Sequence, residues 1–133
     1  MEIKELGFEG VGLDWVHKTE AWGVGVKNYK PANDIENLDN LERHNGTDEL
    51  FILLGGYCCL LFANEENGKL AFRKLPMQQG KVYAIPAGLW HNTVTRPGVK
   101  LALIENCASA QSNSDVVKLT DAQIAEAKAL LNA

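Results

Sequence analysis

Four side chains in this sequence have types and spacings suited to chemistry: Glu42, His44, Glu49 and His91. His44 stands five residues before Glu49, which lies just ahead of the apolar run Leu50 to Leu54, and His91 stands three residues after Gly88 in a Pro86-x-Gly88 turn. Two neutral imidazoles and one carboxylate form a mixed nitrogen and oxygen donor set. Such a set suits one divalent iron, manganese, nickel, cobalt or zinc ion better than a soft metal, and it leaves coordination positions open for a substrate. With Glu42 as a further ligand the set becomes harder and more anionic and turns toward manganese or iron. Without that duty Glu42 is free to act as a base. A metal held this way can chelate a hydroxy or keto acid through two oxygens and stabilise the charge that develops as a proton moves, the chemistry of lyases and isomerases.

These residues need a rigid scaffold. Glycines and turn signals recur every eight to twelve residues between short β-rich runs, the mark of an all-β sandwich or barrel. Strands are expected near Gly12 to Val16, Ala21 to Asn28, Leu50 to Leu54, Tyr57 to Ala63, Lys69 to Leu75, Val82 to Ile85, Asn92 to Thr95 and Val99 to Glu105. Pro86 lacks an N–H and stops the ladder that Val82 to Ile85 begins, and Gly88 supplies the freedom for a tight turn. Asn67-Gly68 and Pro97-Gly98 read as hairpin turns. Pro31 to Asn45, rich in Asn and Asp, reads as a loop leading into His44, with a helical turn near Ile35 to Leu41. Thr120 and Gln123 form a capping box that opens one short helix over about 120–132, whose apolar residues Ile124, Ala127 and Leu131 lie on the domain or on a partner subunit.

A chain of 133 residues is one domain's worth, spanning 1–133. Its net charge of -4, with basic residues dispersed, argues against a nucleic-acid surface. No apolar stretch approaches a membrane span, and Met1 to Glu5 lacks the start of a signal peptide, so no membrane partner and a cytoplasmic location are expected. Cys58, Cys59 and Cys107 are an odd count without the spaced pairs of a zinc site, and free thiols are expected.

The two motif segments resemble the paired signatures of the cupin superfamily. Its second motif, G-x5-P-x-G-x2-H-x3-N, is matched by Gly80, Pro86, Gly88 and His91, with Thr95 in place of the Asn. In its first, G-x5-H-x-H-x3-4-E-x6-G, His44, Glu49 and Gly56 match, Glu42 occupies the first histidine position, and the leading glycine is absent. The resemblance covers about residues 42–105 at motif level. It implies a small RmlC-like cupin: a double-stranded β-helix, or jelly-roll barrel, whose interior holds one divalent metal on His44, Glu49 and His91, with Glu42 as a substitute fourth ligand. The Trp90-His91 ending and Glu105-Asn106 look loosely similar to ureidoglycolate lyase-like cupins and carry across only the reaction class. Dioxygenase activity is the less favoured enzymatic option, because the family's oxygenases commonly show a third histidine. The contrasting reading is a metal-free or non-catalytic cupin that binds a sugar or other metabolite. Cupins of one barrel commonly pair, and a homodimer is expected.

Other residues attract weaker expectations. Trp90 faces away from its neighbour His91, toward outer packing. Phe51, Tyr57 and Tyr83 are candidates for the cavity wall or the core. His17 reads as a surface residue, and Arg73 and Lys74 as solvent-exposed unless one turns inward to hold a substrate carboxylate.

Overall fold

The structure, a computed structural model, describes residues 1–106 and 114–133, so Cys107 and the thiol expected there lie outside the described residues. The strands are β1 (Leu13–Lys18), β2 (Trp22–Asn28), β3 (Asn40–His44), β4 (Glu49–Gly55), β5 (Cys58–Glu66), β6 (Lys69–Pro76), β7 (Val82–Ile85), β8 (Trp90–Thr95), β9 (Lys100–Asn106) and β10 (Ser114–Lys118), followed by helix α1 (Asp121–Asn132). They form two five-stranded antiparallel sheets, ordered β1-β2-β9-β4-β7 and β10-β3-β8-β5-β6. Consecutive strands repeatedly change sheet, which is how a jelly roll wraps a single interior.

Period-two alternation decides what each sheet buries. Phe51, Leu53, Leu101 and Leu103 of the first sheet meet Cys58 and Leu60 of the second in the interior. The opposite face of the second sheet is also apolar, because Leu41, Leu61, Ala63 and Val94 are covered by Leu119 and by Ala127 of α1. Each fully buried leucine here contributes about 1.5–3 kcal/mol. Thr120 and Gln123 make the expected capping box, and Ile124 and Leu131 pack on this outer cluster. Trp90 packs there too, with the Arg43 guanidinium 4.3 Å from its ring. Cys58 and Cys59 are both buried and free, and burial pushes the Cys58 thiol up to about 12, so it is inert toward oxidation and alkylation at neutral pH.

The Asn67-Gly68 turn joins β5 and β6 with both residues in the left-handed region (φ 53° and 76°), the twist a two-residue hairpin needs. Three expectations change. The Pro97-Gly98 turn closes no hairpin, because β8 and β9, the strands it joins, lie in different sheets. Pro31 to Asn45 is not a loop throughout: two 3-10 turns, Pro31–Asn33 and Ile35–Asn37, give way to β3, which pairs with β8 and β10. Its alternation was disguised because Glu42 and His44, the residues it turns inward, are polar. Strand β10 was also unforeseen, and it borders β3 at the edge of the second sheet. Among the described residues no helix is long and apolar enough to cross a membrane.

Candidate metal centre

Four strands of the two sheets bring the site together. In β3, Glu42 and His44 are two residues apart and share a face, and Glu42 pairs with His91 of β8. Glu49 begins β4 in the facing sheet, where Leu50 pairs with Ile104, and continuing that register sets Glu49 across from Glu105 of β9. The two motif segments are also bonded to each other: Gly88 N–H donates to the His44 carbonyl at 2.8 Å, and Ala87 N–H donates to the Asp48 carboxylate at 3.0 Å. Gly88 holds a φ of 83°, which the turn before His91 requires. Thr95, in the family's Asn position, is buried and donates to the Asn33 carbonyl at 3.5 Å.

The structure therefore gathers all four expected residues, Glu42, His44, Glu49 and His91, around one cavity of about 270 Å³, together with Lys27, Lys30, Phe51 and Glu105. The Glu49 carboxylate spans the two histidines: Oε2 lies 3.3 Å from His44 Nε2, and Oε1 lies 3.4 Å from His91 Nε2. Glu105 Oε1 lies 3.7 Å from His44 Nε2. Donor atoms of Glu42, His44 and His91 all fall within 4.8 Å of one another, and so do those of His44, Glu49 and Glu105. A metal about 2.0–2.2 Å from each ligand atom would span donors of either set after only slight contraction.

The tautomer of His91 is dictated by its surroundings. Its Nδ1 lies 2.9 Å from the Leu89 carbonyl, which can only accept, so Nδ1 carries a proton and, in the neutral tautomer, the Nε2 lone pair is turned toward Glu49. Both His91 Nε2 and Glu49 Oε1 are buried, and among the described residues neither has a hydrogen-bond partner. A buried lone pair facing a carboxylate oxygen is costly, and a cation between them, either a proton or a metal, relieves it. His44 Nδ1 lies 2.6 Å from the Ser114 hydroxyl of β10, which can accept from Nδ1–H and leave Nε2 free to coordinate. Each of the two donor sets thus fits a divalent ion, and Glu42 stands in the one that contains both histidines.

Electrostatics agree. The hydrogen bond to Glu49 raises the His44 pKa above its ordinary 6.5, outweighing burial. Burial pushes the Glu49 carboxyl up, but His44 and His91 together hold it below its ordinary 4.5. The signs define a window for metal-free protein. Glu49 contributes stability that is present above about 4.5 and lost as pH falls through its depressed folded value; His44 contributes stability that is present below about 6.5 and lost as pH rises through its raised folded value. Stability of the metal-free protein to urea is therefore expected to be greatest between about pH 4.5 and 6.5, and metal, which needs neutral His44, to move that maximum upward. A metal-free curve still rising at pH 8 would contradict the assignment.

Glu105, Lys27 and Lys30 were missed in the sequence. The available signal was parity: Leu101, Leu103 and Glu105 share one face of β9, and Gly23, Gly25 and Lys27 share one face of β2. Phe51 lines the cavity, whereas Tyr83 lines a separate apolar hollow and Tyr57 stacks under Arg96 at 3.9 Å. His17 is exposed against Trp22, Arg73 is exposed, and Lys74 donates to the Ala133 carbonyl, so neither Arg73 nor Lys74 lines the cavity.

No protein-family model and no curated protein sequence matches this chain. Solved structures do. A cupin-2 domain protein from Shewanella frigidimarina aligns at 19% identity and TM-score 0.56 over 74% of this chain and 84% of its own. A cupin superfamily protein from Desulfitobacterium hafniense aligns at 16% identity and TM-score 0.53 over 80% of this chain and 83% of its own. A variant of Streptomyces Pac13 with uridine aligns at 10% identity and TM-score 0.61 over 95% of this chain and 98% of its own, and Pac13 is described as a nucleoside dehydratase. At these identities the likeness establishes the fold alone: the chain has the jelly-roll fold that these cupins share.

Proposed function

We propose that this cupin-fold chain is a metal-dependent lyase or isomerase acting on a small hydroxy acid or sugar-derived acid. The observation that carries the reading is the pair of orphaned buried atoms, His91 Nε2 and Glu49 Oε1, facing each other at 3.4 Å inside a polar cavity. His44, Glu49 and His91 would hold the ion, with Glu105 beside His44 as a further carboxylate. When bound, the ion supplies a Lewis acid that two substrate oxygens can chelate.

The chain's own residues do the rest. Leu89 and Ser114 fix the imidazoles, so that both Nε2 atoms point inward. Phe51 and Leu103 form the apolar wall that excludes water and strengthens charge interactions within. Glu42 reaches both histidines, yet among the described residues its carboxylate has no hydrogen-bond or ion-pair partner, which leaves it free to take a proton from the carbon or hydroxyl of a substrate held there and return it. The cavity of about 270 Å³ suits a small metabolite rather than an extended one. That Pac13 is a dehydratase on a similar fold favours a reaction that moves a proton and eliminates a group.

The test uses cobalt-loaded protein titrated with lactate and with propanol, followed by its visible absorption. Lactate is expected to shift the cobalt bands and propanol to leave them unchanged, since only the former offers two oxygens. Identical responses to the two would contradict chelation.

A further inference from the structure

We propose that Lys27, with Lys30 beside it, is an anion-recognition post in the cavity, so that the substrate carries a second anionic group, a carboxylate or a phosphate, beyond its metal-chelating end. The inference rests on the metal reading above and names the substrate class it serves.

The inner face of β2 is almost stripped of side chains. Gly23 and Gly25 are buried, and a Cβ at Gly25 would meet Leu13 Cδ1 at 2.7 Å and the Trp15 ring at 3.2 Å. The next residue of that parity is Lys27, whose stem runs into the cavity. Its ammonium donates to Thr93 Oγ1 at 3.2 Å. Among the described residues that is its sole hydrogen bond, and it has no ion pair. An ammonium offers three N–H groups, so two are uncommitted. Thr93 lies two residues from His91 on the same face of β8, about 7 Å along the strand, so the ammonium is tethered beside the metal donors on the cavity wall.

A cation placed this way works against the fold. Burial first, and the neighbouring Lys30 second, pull the Lys27 pKa below its ordinary 10.5. Lys30 lines the same cavity, and among the described residues its side chain has no partner. Glu42 and Glu49 attract Lys27 without touching it. Three carboxylates and two ammoniums line the cavity, and a divalent ion turns that balance net positive. An anion seated between Lys27 and Lys30 would use the spare N–H groups and offset the repulsion between the two cations.

The experiment is calorimetric titration of cobalt-loaded protein with L-lactate, L-malate and 3-phosphoglycerate, all α-hydroxy acids, of which the last two add a carboxylate and a phosphate. Malate or phosphoglycerate is expected to bind at least roughly tenfold more tightly than lactate, and whichever gains more identifies the second anion. Lys27→Met is expected to bring the three to parity while keeping its cobalt and melting no lower than the parent, since a buried unpaired charge has been removed. Lys27→Arg is expected to retain the preference. Equal affinities in the parent, or an undiminished preference in Lys27→Met, would overturn the proposal. Cobalt content is read on the same samples, so failure of the metal reading is seen separately, and in protein that takes up no cobalt the same titrations still decide the role of Lys27.

Discussion

Glu49→Gln is expected to lower metal affinity at least about a hundredfold while leaving a folded β protein, because even partners that only support a ligand are worth about 10–100-fold. Glu49 is the residue on which the site converges: one oxygen faces each histidine, and both imidazoles hold its carboxyl ionised despite burial. Gln keeps the shape and removes the charge. The interior cluster of Phe51, Leu53, Leu60, Leu101 and Leu103 does not depend on that charge, so circular dichroism should be unchanged. The same variant should flatten the acidic stability maximum of metal-free protein, since His44 loses the hydrogen bond that raises its pKa and Glu49 no longer titrates. Equilibrium dialysis against cobalt and urea denaturation across pH read the two effects. Undiminished cobalt affinity would remove Glu49 from the metal site.

Glu42→Gln is expected to do the converse: metal stays and turnover falls by about 10²–10⁴-fold, the range for removing a general base. Glu42 pairs with His91 across the β3–β8 ladder and converges with both imidazoles, but it stands in a different donor set from Glu49. A carboxylate bound to the metal has its lone pair committed to it, whereas one beside it keeps a lone pair free to take a proton. The measurements are elemental analysis and substrate turnover on the same preparation. Metal lost along with turnover would make Glu42 a ligand and move the base elsewhere in the cavity.

The parts of this molecule that were legible in the sequence are those where backbone geometry restricts residue choice. Pro86, Gly88, Asn67 and Gly68 mark turns whose conformations few residues adopt, and they anchor the strand rhythm around them. Their spacing to His91 and to the Glu49 segment made the motif pair readable. Strand β3 was hidden for the opposite reason: a strand that lines a polar cavity loses the inward hydrophobic residues by which strands are recognised, and Glu42 and His44 sit where Val or Leu would have revealed it. Glu105 and Lys27 were hidden by distance. Each resembles an ordinary charged residue of an exposed strand until Leu103 and Gly25, its same-face neighbours, are seen to be buried. Their meeting with His44 and Thr93 is set by sheet order, with β9 lying between β2 and β4, and local sequence does not encode that order.

The most direct test of the metal centre is elemental analysis of untagged protein purified without chelators, measured beside His91→Ala. The metal reading predicts about one equivalent of a divalent transition metal per chain in the parent and almost none in the variant, because among the described residues His91 Nε2 has no hydrogen-bond partner. Absence of metal from the parent after reconstitution, or equal metal in both proteins, would contradict the metal centre and leave the cavity as a binding site for a metabolite alone.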